Sequence, residues 1–145
     1  MRISAKGEYA LKALLDLAMN YDKGLIPIHG IAERQGIPQR YLEQVLLMLK
    51  RGGFLVSRRG AAGGYHLVRP PEEISVGEVV RAVEGSLSPF DSSRRPGRRA
   101  PNDELSELWR EVSEAVSNVI DRVTLADLVK RAYERKAIAR PMYHI

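Results

Sequence analysis

Residues 28–68 read IHGIAERQGIPQRYLEQVLLMLKRGGFLVSRRGAAGGYHLV, and this stretch decides the fold. A short helix over Ile28–Gln35 stops at Gly36. Pro38 then suits the first turn of a second helix reaching Arg51, because its fixed φ fits there and its missing N–H costs nothing. In that second helix Leu42, Val45, Leu46 and Leu49 follow the i, i+3, i+4, i+7 stripe of a buried face. Gln39, Arg40, Glu43, Gln44 and Lys50 point elsewhere. Phe54–Ser57 and Tyr65–Val68 are rich in apolar and aromatic residues and flank RRGAAGG, so they read as a hairpin with a basic, glycine-rich tip.

Working outward, Ser4–Asn20 carries Leu11, Leu14, Leu15 and Ala18 on one helical face, and Asp22-Lys23-Gly24 ends it. Beyond the hairpin, Ser75 and Glu78 form an S-x-x-E capping box. Val76, Val79, Val80 and Val83 line the helix that follows. Residues 85–102 break all periodicity, with three prolines and Arg94, Arg95, Arg98 and Arg99, and read as a flexible basic linker. Asn102 can cap a long helix lined by Leu105, Leu108, Trp109, Val112, Val116, Val119 and Ile120. Thr124 and Asp127 form a second capping box before a last helix with Leu125, Leu128, Val129, Ala132 and Tyr133 apolar. Two such helices with nothing left to bury them argue for packing against a second copy, and a two-fold dimer is the commonest closed arrangement.

The expected fold is therefore mainly α with a small β-hairpin wing, a winged helix-turn-helix plus a long dimerisation helix. Its divisions are a DNA-binding domain over 1–84, the linker over 85–102, dimerisation helices over 103–136 and a tail over 137–145. Charge follows the same division: residues 1–70 hold 11 Lys and Arg against 5 Asp and Glu, whereas residues 71–145 hold 12 against 13. A phosphate-binding module joined to a neutral association module has this asymmetry, since only the first must neutralise a polyanion.

In a winged helix-turn-helix the third helix enters the major groove and the wing lies along the backbone. Near the start of that helix, Arg40 can pair with guanine and Gln44 with adenine, aided by Gln39 and Tyr41. Arg58 and Arg59 suit phosphates or a narrow minor groove, while Gly60, Gly63 and Gly64 let the wing turn tightly. Arg2, Ser4 and Lys6 are candidate phosphate contacts at the first helix.

Several classes are excluded. The chain has no cysteine, which removes disulfides, cysteine nucleophiles and cysteine-ligated metal or iron–sulfur centres. His29, His66 and His144 have no metal-site spacing. The wing glycines lack the G-x-x-x-x-G-K-[ST] pattern, and no nucleophile is paired with a base, so no enzyme is read here. No run approaches the roughly 18–20 apolar residues of a membrane span; a cytoplasmic protein without cofactor is expected.

MRISAKGEYALKALLDLA, IAERQGIPQRYLEQVLLMLKRGGFLVSRRGAAGGYHL and ISVGEVVRAVEG together resemble the Rrf2 family of bacterial winged-helix regulators, with a weaker continuation through LWREVSEAVSNVIDRVTLADL. The resemblance implies a homodimer whose long helices cross, binding a double-stranded, roughly palindromic operator through Ser4 and Lys6, residues 38–44, and Arg59–Tyr65. Many members hold an iron–sulfur cluster on three cysteines between the fourth and fifth helices, and here that stretch has none. Within the family, the cysteine-free linker and the terminal isoleucine are similar to the repressors of cysteine metabolism. That likeness implies a partner, O-acetylserine sulfhydrylase, into whose substrate site Tyr143, His144 and Ile145 would dock by carboxylate capture. Two alternatives stand beside it: a regulator of the same fold with another small-molecule effector, and an interaction subunit of the sulfhydrylase with weak DNA binding.

Overall fold

A computed structural model describes residues 3–85 and 103–139. Arg2, the linker beyond Gly85, and Tyr143, His144 and Ile145 of the tail lie outside the described residues. The chain runs α1 (Ala5–Met19), α2 (Ile28–Gln35), α3 (Gln39–Arg51), β1 (Leu55–Arg58), β2 (Gly64–Leu67), α4 (Val76–Glu84), α5 (Glu104–Ile120) and α6 (Leu125–Ala139). Short 3-10 turns at Tyr21–Lys23 and Pro71–Glu73 complete it.

The apolar stripes of α1, α2 and α3 converge: Leu14, Ile31, Leu42 and Leu46 are each 0% exposed. Burying each such side chain contributes about 1.5–3 kcal/mol. Between α2 and α3 the chain reverses at Gly36, whose φ of 64° places it in the left-handed region and whose N–H closes onto the Ala32 carbonyl. The carboxylate of Asp16, the one buried charged group among the described residues, holds α2 to α1. It accepts from Arg34 Nε at 2.9 Å and Nη2 at 2.8 Å, and from Gln35 Nε2 at 3.2 Å.

The hairpin pairs Leu55 with Leu67 and Arg58 with Gly64, so Leu55 and Leu67 enter the core while Val56 faces outward. A third strand position joins it. Ile26 and Tyr65 exchange both backbone hydrogen bonds at 2.9 Å, an approach that leaves no room for a side chain at Gly64, where an added Cβ would lie 2.5 Å from the Ile26 carbonyl oxygen. His66 reinforces the joint, its Nε2 lying 2.8 Å from the Tyr21 carbonyl and its ring stacked on Tyr21.

The second half departs from expectation in three ways. The cap of α5 is Asp103, not the expected Asn102, which lies outside the described residues: the helix starts at Glu104, so Asp103 holds the cap position and accepts from Ser106 N–H. The Ser75 box is half formed: Ser75 Oγ accepts from Glu78 N–H, but the Glu78 carboxylate pairs with Arg69. Most consequential, α6 is not without cover. Val76 N–H donates to the Val123 carbonyl and Leu125 N–H to the Ile74 carbonyl, which turns α6 back onto α1 and buries Leu125 completely. The Thr124–Asp127 box, complete at 2.9 and 3.1 Å, starts the helix at that point.

By contrast, α5 contains no buried residue. It is tied at its C-terminal end, where Arg81 of α4 grips Asp121 in a bidentate pair and donates to Ser117 Oγ. No helix among the described residues is long and apolar enough to cross a membrane.

Two substitutions check these joints. Leu125→Ala should destabilise the chain by about 2–5 kcal/mol in urea unfolding, as a core position would; under 1 kcal/mol would place α6 outside the core. Gly64→Ala should cost about 1–3 kcal/mol by forcing the wing off Ile26.

Candidate nucleic-acid interface

α3 buries Leu42, Val45, Leu46 and Leu49 and exposes Gln39, Arg40, Glu43, Gln44 and Lys50. Because the buried stripe is fixed in the core, this polar face is held outward without freedom to roll. Arg40 has no ion-pair partner among the described residues, nor do Arg58 and Arg59 of the wing. Between α3, the start of α2 and the wing lies an open groove of about 550 Å³, lined by His29, Glu43, Leu47, Lys50, Arg58, Arg59 and Tyr65 among others. Lys50 Nζ donates to Ser57 Oγ at 2.7 Å and so sets the spacing of helix and wing.

The sequence-predicted residues take different places. Gln39, Arg40 and Gln44 stand together on the exposed face beside Pro38, whose carbonyl accepts from Leu42 N–H and opens the helix. Arg58, Arg59, Gly60, Gly63 and Gly64 line the wing side of the groove, with Gly64 itself buried, whereas on α3 the groove is lined by Glu43, Leu47 and Lys50 and not by Gln39, Arg40 or Gln44. Tyr41 is half-buried, packed edge-to-face on Tyr9 with ring centroids 5.3 Å apart, and so braces α3 against α1. Tyr65 is also half-buried; burial, then the nearby Glu43 carboxylate, pushes its phenol up, which keeps the hydroxyl a donor.

At α1, Lys6 is exposed, but Ser4 is already engaged. Its N–H and Oγ–H both donate to Glu84 Oε1, at 2.9 and 2.5 Å, while Oγ accepts from Gly7 N–H as the helix cap. Reading the sequence missed Glu84, since nothing in the spacing of residues 80 positions apart announces the contact. It also set aside Glu43 and Leu47, one helical turn apart on the groove side, where the signal was available: neither belongs to the buried stripe.

The model of the Rrf2 family, described as an iron-dependent transcriptional regulator, matches residues 3–131. The chain belongs to the Rrf2 family of transcriptional regulators. A relative, the HTH-type transcriptional regulator IscR of Serratia proteamaculans, is 40% identical over 130 residues, covering 89% of this chain and 79% of the relative. Among solved structures, CymR, the global cysteine regulator of B. subtilis, superposes with a TM-score of 0.78 at 33% identity over 90% of this chain and 98% of its own. IscR of T. potens gives 0.77 at 37% identity over 93% and 90%. The winged-helix architecture and the role of DNA-binding regulator, and not enzyme, follow from this membership.

The Ser4 hydroxyl, first, and its backbone N–H hold the Glu84 carboxyl below its ordinary value of 4.5, with Lys6 adding to the effect. A depressed folded-state value stabilises the fold above the ordinary value, and that contribution is lost as the pH falls through the lowered one. Melting temperature against pH should therefore drop more steeply below about pH 4.5 in the natural chain than in Glu84→Gln; parallel acid limbs would remove Glu84 from the account.

Proposed function

We infer that this chain is a dimeric repressor that blocks a promoter by laying α3 in the major groove of a near-palindromic operator and the wing arginines along the adjoining backbone. The observation that carries the reading is that α3 exposes Arg40 and Gln44, Arg40 without an ion pair among the described residues, beside a groove that Arg58 and Arg59 line together with Glu43, Leu47 and Lys50 of the same helix as Arg40. Arginine and glutamine supply bidentate contacts to guanine and adenine, and the wing arginines supply charge for phosphates. Gln39, Tyr41 and Lys6 assist from the edges of that surface.

The proposed dimer seam is α5, where Leu105, Leu108, Val112 and Val119 are 61%, 45%, 37% and 59% exposed. An apolar row of this extent on one helix needs a partner surface, and a second copy supplies the same row reversed. Trp109, Val116 and Ile120, all half-buried, flank it.

The regulated genes are proposed to serve cysteine or sulfur metabolism. Two facts support that input: the likeness to the global cysteine regulator of B. subtilis, and the absence of any cysteine to hold a cluster. O-acetylserine sulfhydrylase is the proposed protein partner.

Titrating the gene's own upstream region tests the surface. Arg40→Ala should lose about 1–3 kcal/mol on the specific site and little on random DNA. Arg59→Ala should weaken both and lower the salt dependence by about one unit of slope. Unchanged binding in both variants overturns the assignment. Adding the sulfhydrylase, then O-acetylserine, should tighten and release the complex in turn; indifference to both retires the sulfur input. In sedimentation, Val112→Glu should give a monomer, and a persistent dimer would move the seam off α5.

A further inference from the structure

We propose that the cleft between α1, α2 and α6 binds a small organic anion, an acidic head group joined to an apolar body. The cleft measures about 570 Å³, within the range of small-molecule sites. Its apolar walls and its charged residues divide the site in two. Leu15 and Met19 of α1 face Ala132 and the half-exposed ring of Tyr133 on α6, an apolar slot. At its mouth stand Lys23 and Lys136, both exposed and neither in an ion pair among the described residues.

The remaining charges in the cleft cancel. Asp16, with its side chain 3% exposed, spends its carboxylate on Arg34 and Gln35. What is left is two ammonium groups beside an apolar slot. Lysine is a compact charge with rotatable donors, suited to a carboxylate or a phosphate monoester alike. An inorganic anion would use the lysines and leave the slot empty, whereas a neutral apolar molecule would use the slot and leave the lysines unanswered. A ligand with both parts uses the whole site.

The position gives such a ligand leverage. Lys136 and Tyr133 belong to α6, which continues from α5, whereas the Asp16–Arg34 pair on the floor of the cleft holds α2, the helix that leads through Gly36 into α3. Occupancy therefore links the C-terminal helices to the DNA-facing ones. This coupling rests on the DNA-regulator reading; the site itself does not.

The full chain would be titrated with 3-phenylpropionate, phenyl phosphate, 3-phenylpropionamide and inorganic phosphate, following both melting temperature and ligand NMR signals. One or both organic anions should bind and raise the melting temperature, and which one does so identifies the head group. The amide and inorganic phosphate should not. In the Lys23→Ala/Lys136→Ala variant, both changes being at exposed positions, the affinity should fall at least about tenfold. No response to either organic anion, an equal response to inorganic phosphate, or a response unchanged in the double variant each overturns the site. With binding in hand, operator affinity should shift about fivefold or more on saturation. An unshifted operator affinity overturns the coupling alone, and a chain that binds the anion but no DNA overturns the regulator reading while the site stands.

Discussion

The pairing of Ile26 with Tyr65 fixes the wing against the N-terminal helices. Two backbone hydrogen bonds bridge Ile26, just before α2, to the hairpin at Tyr65, and Gly64 permits the approach. Lys50 bonded to Ser57 and His66 at the Tyr21 carbonyl tie the wing to the helices at two further points. On the proposed reading, a duplex meeting this surface would have to bring its grooves to the spacing of α3 and the wing. Sequence selectivity then includes how readily a given duplex deforms, as well as which base edges it presents.

The same logic orders the core. Asp16 could be an expensive buried charge, but its bidentate partner and Gln35 satisfy it, and the pair reaches solvent through the half-exposed Arg34. Such pairs contribute little net stability compared with apolar packing. Here the pair instead fixes the angle between α1 and α2, which the small contact surface of an eight-residue helix would otherwise leave loose.

How much of this was legible in the sequence depends on the range of the interaction. The stripes Leu42–Leu49 and Val76–Val83, the stop at Gly36 and the Thr124–Asp127 box are local, and each reads directly from spacing. The return of α6 onto α1 is not local. It hangs on backbone bonds between Ile74–Val76 and Val123–Leu125, and backbone groups carry no residue signature. The same applies to the candidate site: the exposure of Arg40, Gln44 and the wing arginines reads from type and position, while Glu84 at Ser4, and Lys23 and Lys136 on one cleft, are brought together only by the packing of distant helices.

One consequence concerns the end of α1. The first turn of a helix carries a partial positive charge that ordinarily welcomes an anion. In this chain Glu84, the last residue of α4, already sits there. A phosphate arriving at Ser4 exchanges one anion for another, and Lys6 then counts for less in the net gain. On the proposed reading that contact would set the register of the protein along the duplex, and the bulk of the counterion release, with the tightness of binding, would come from the wing and α3.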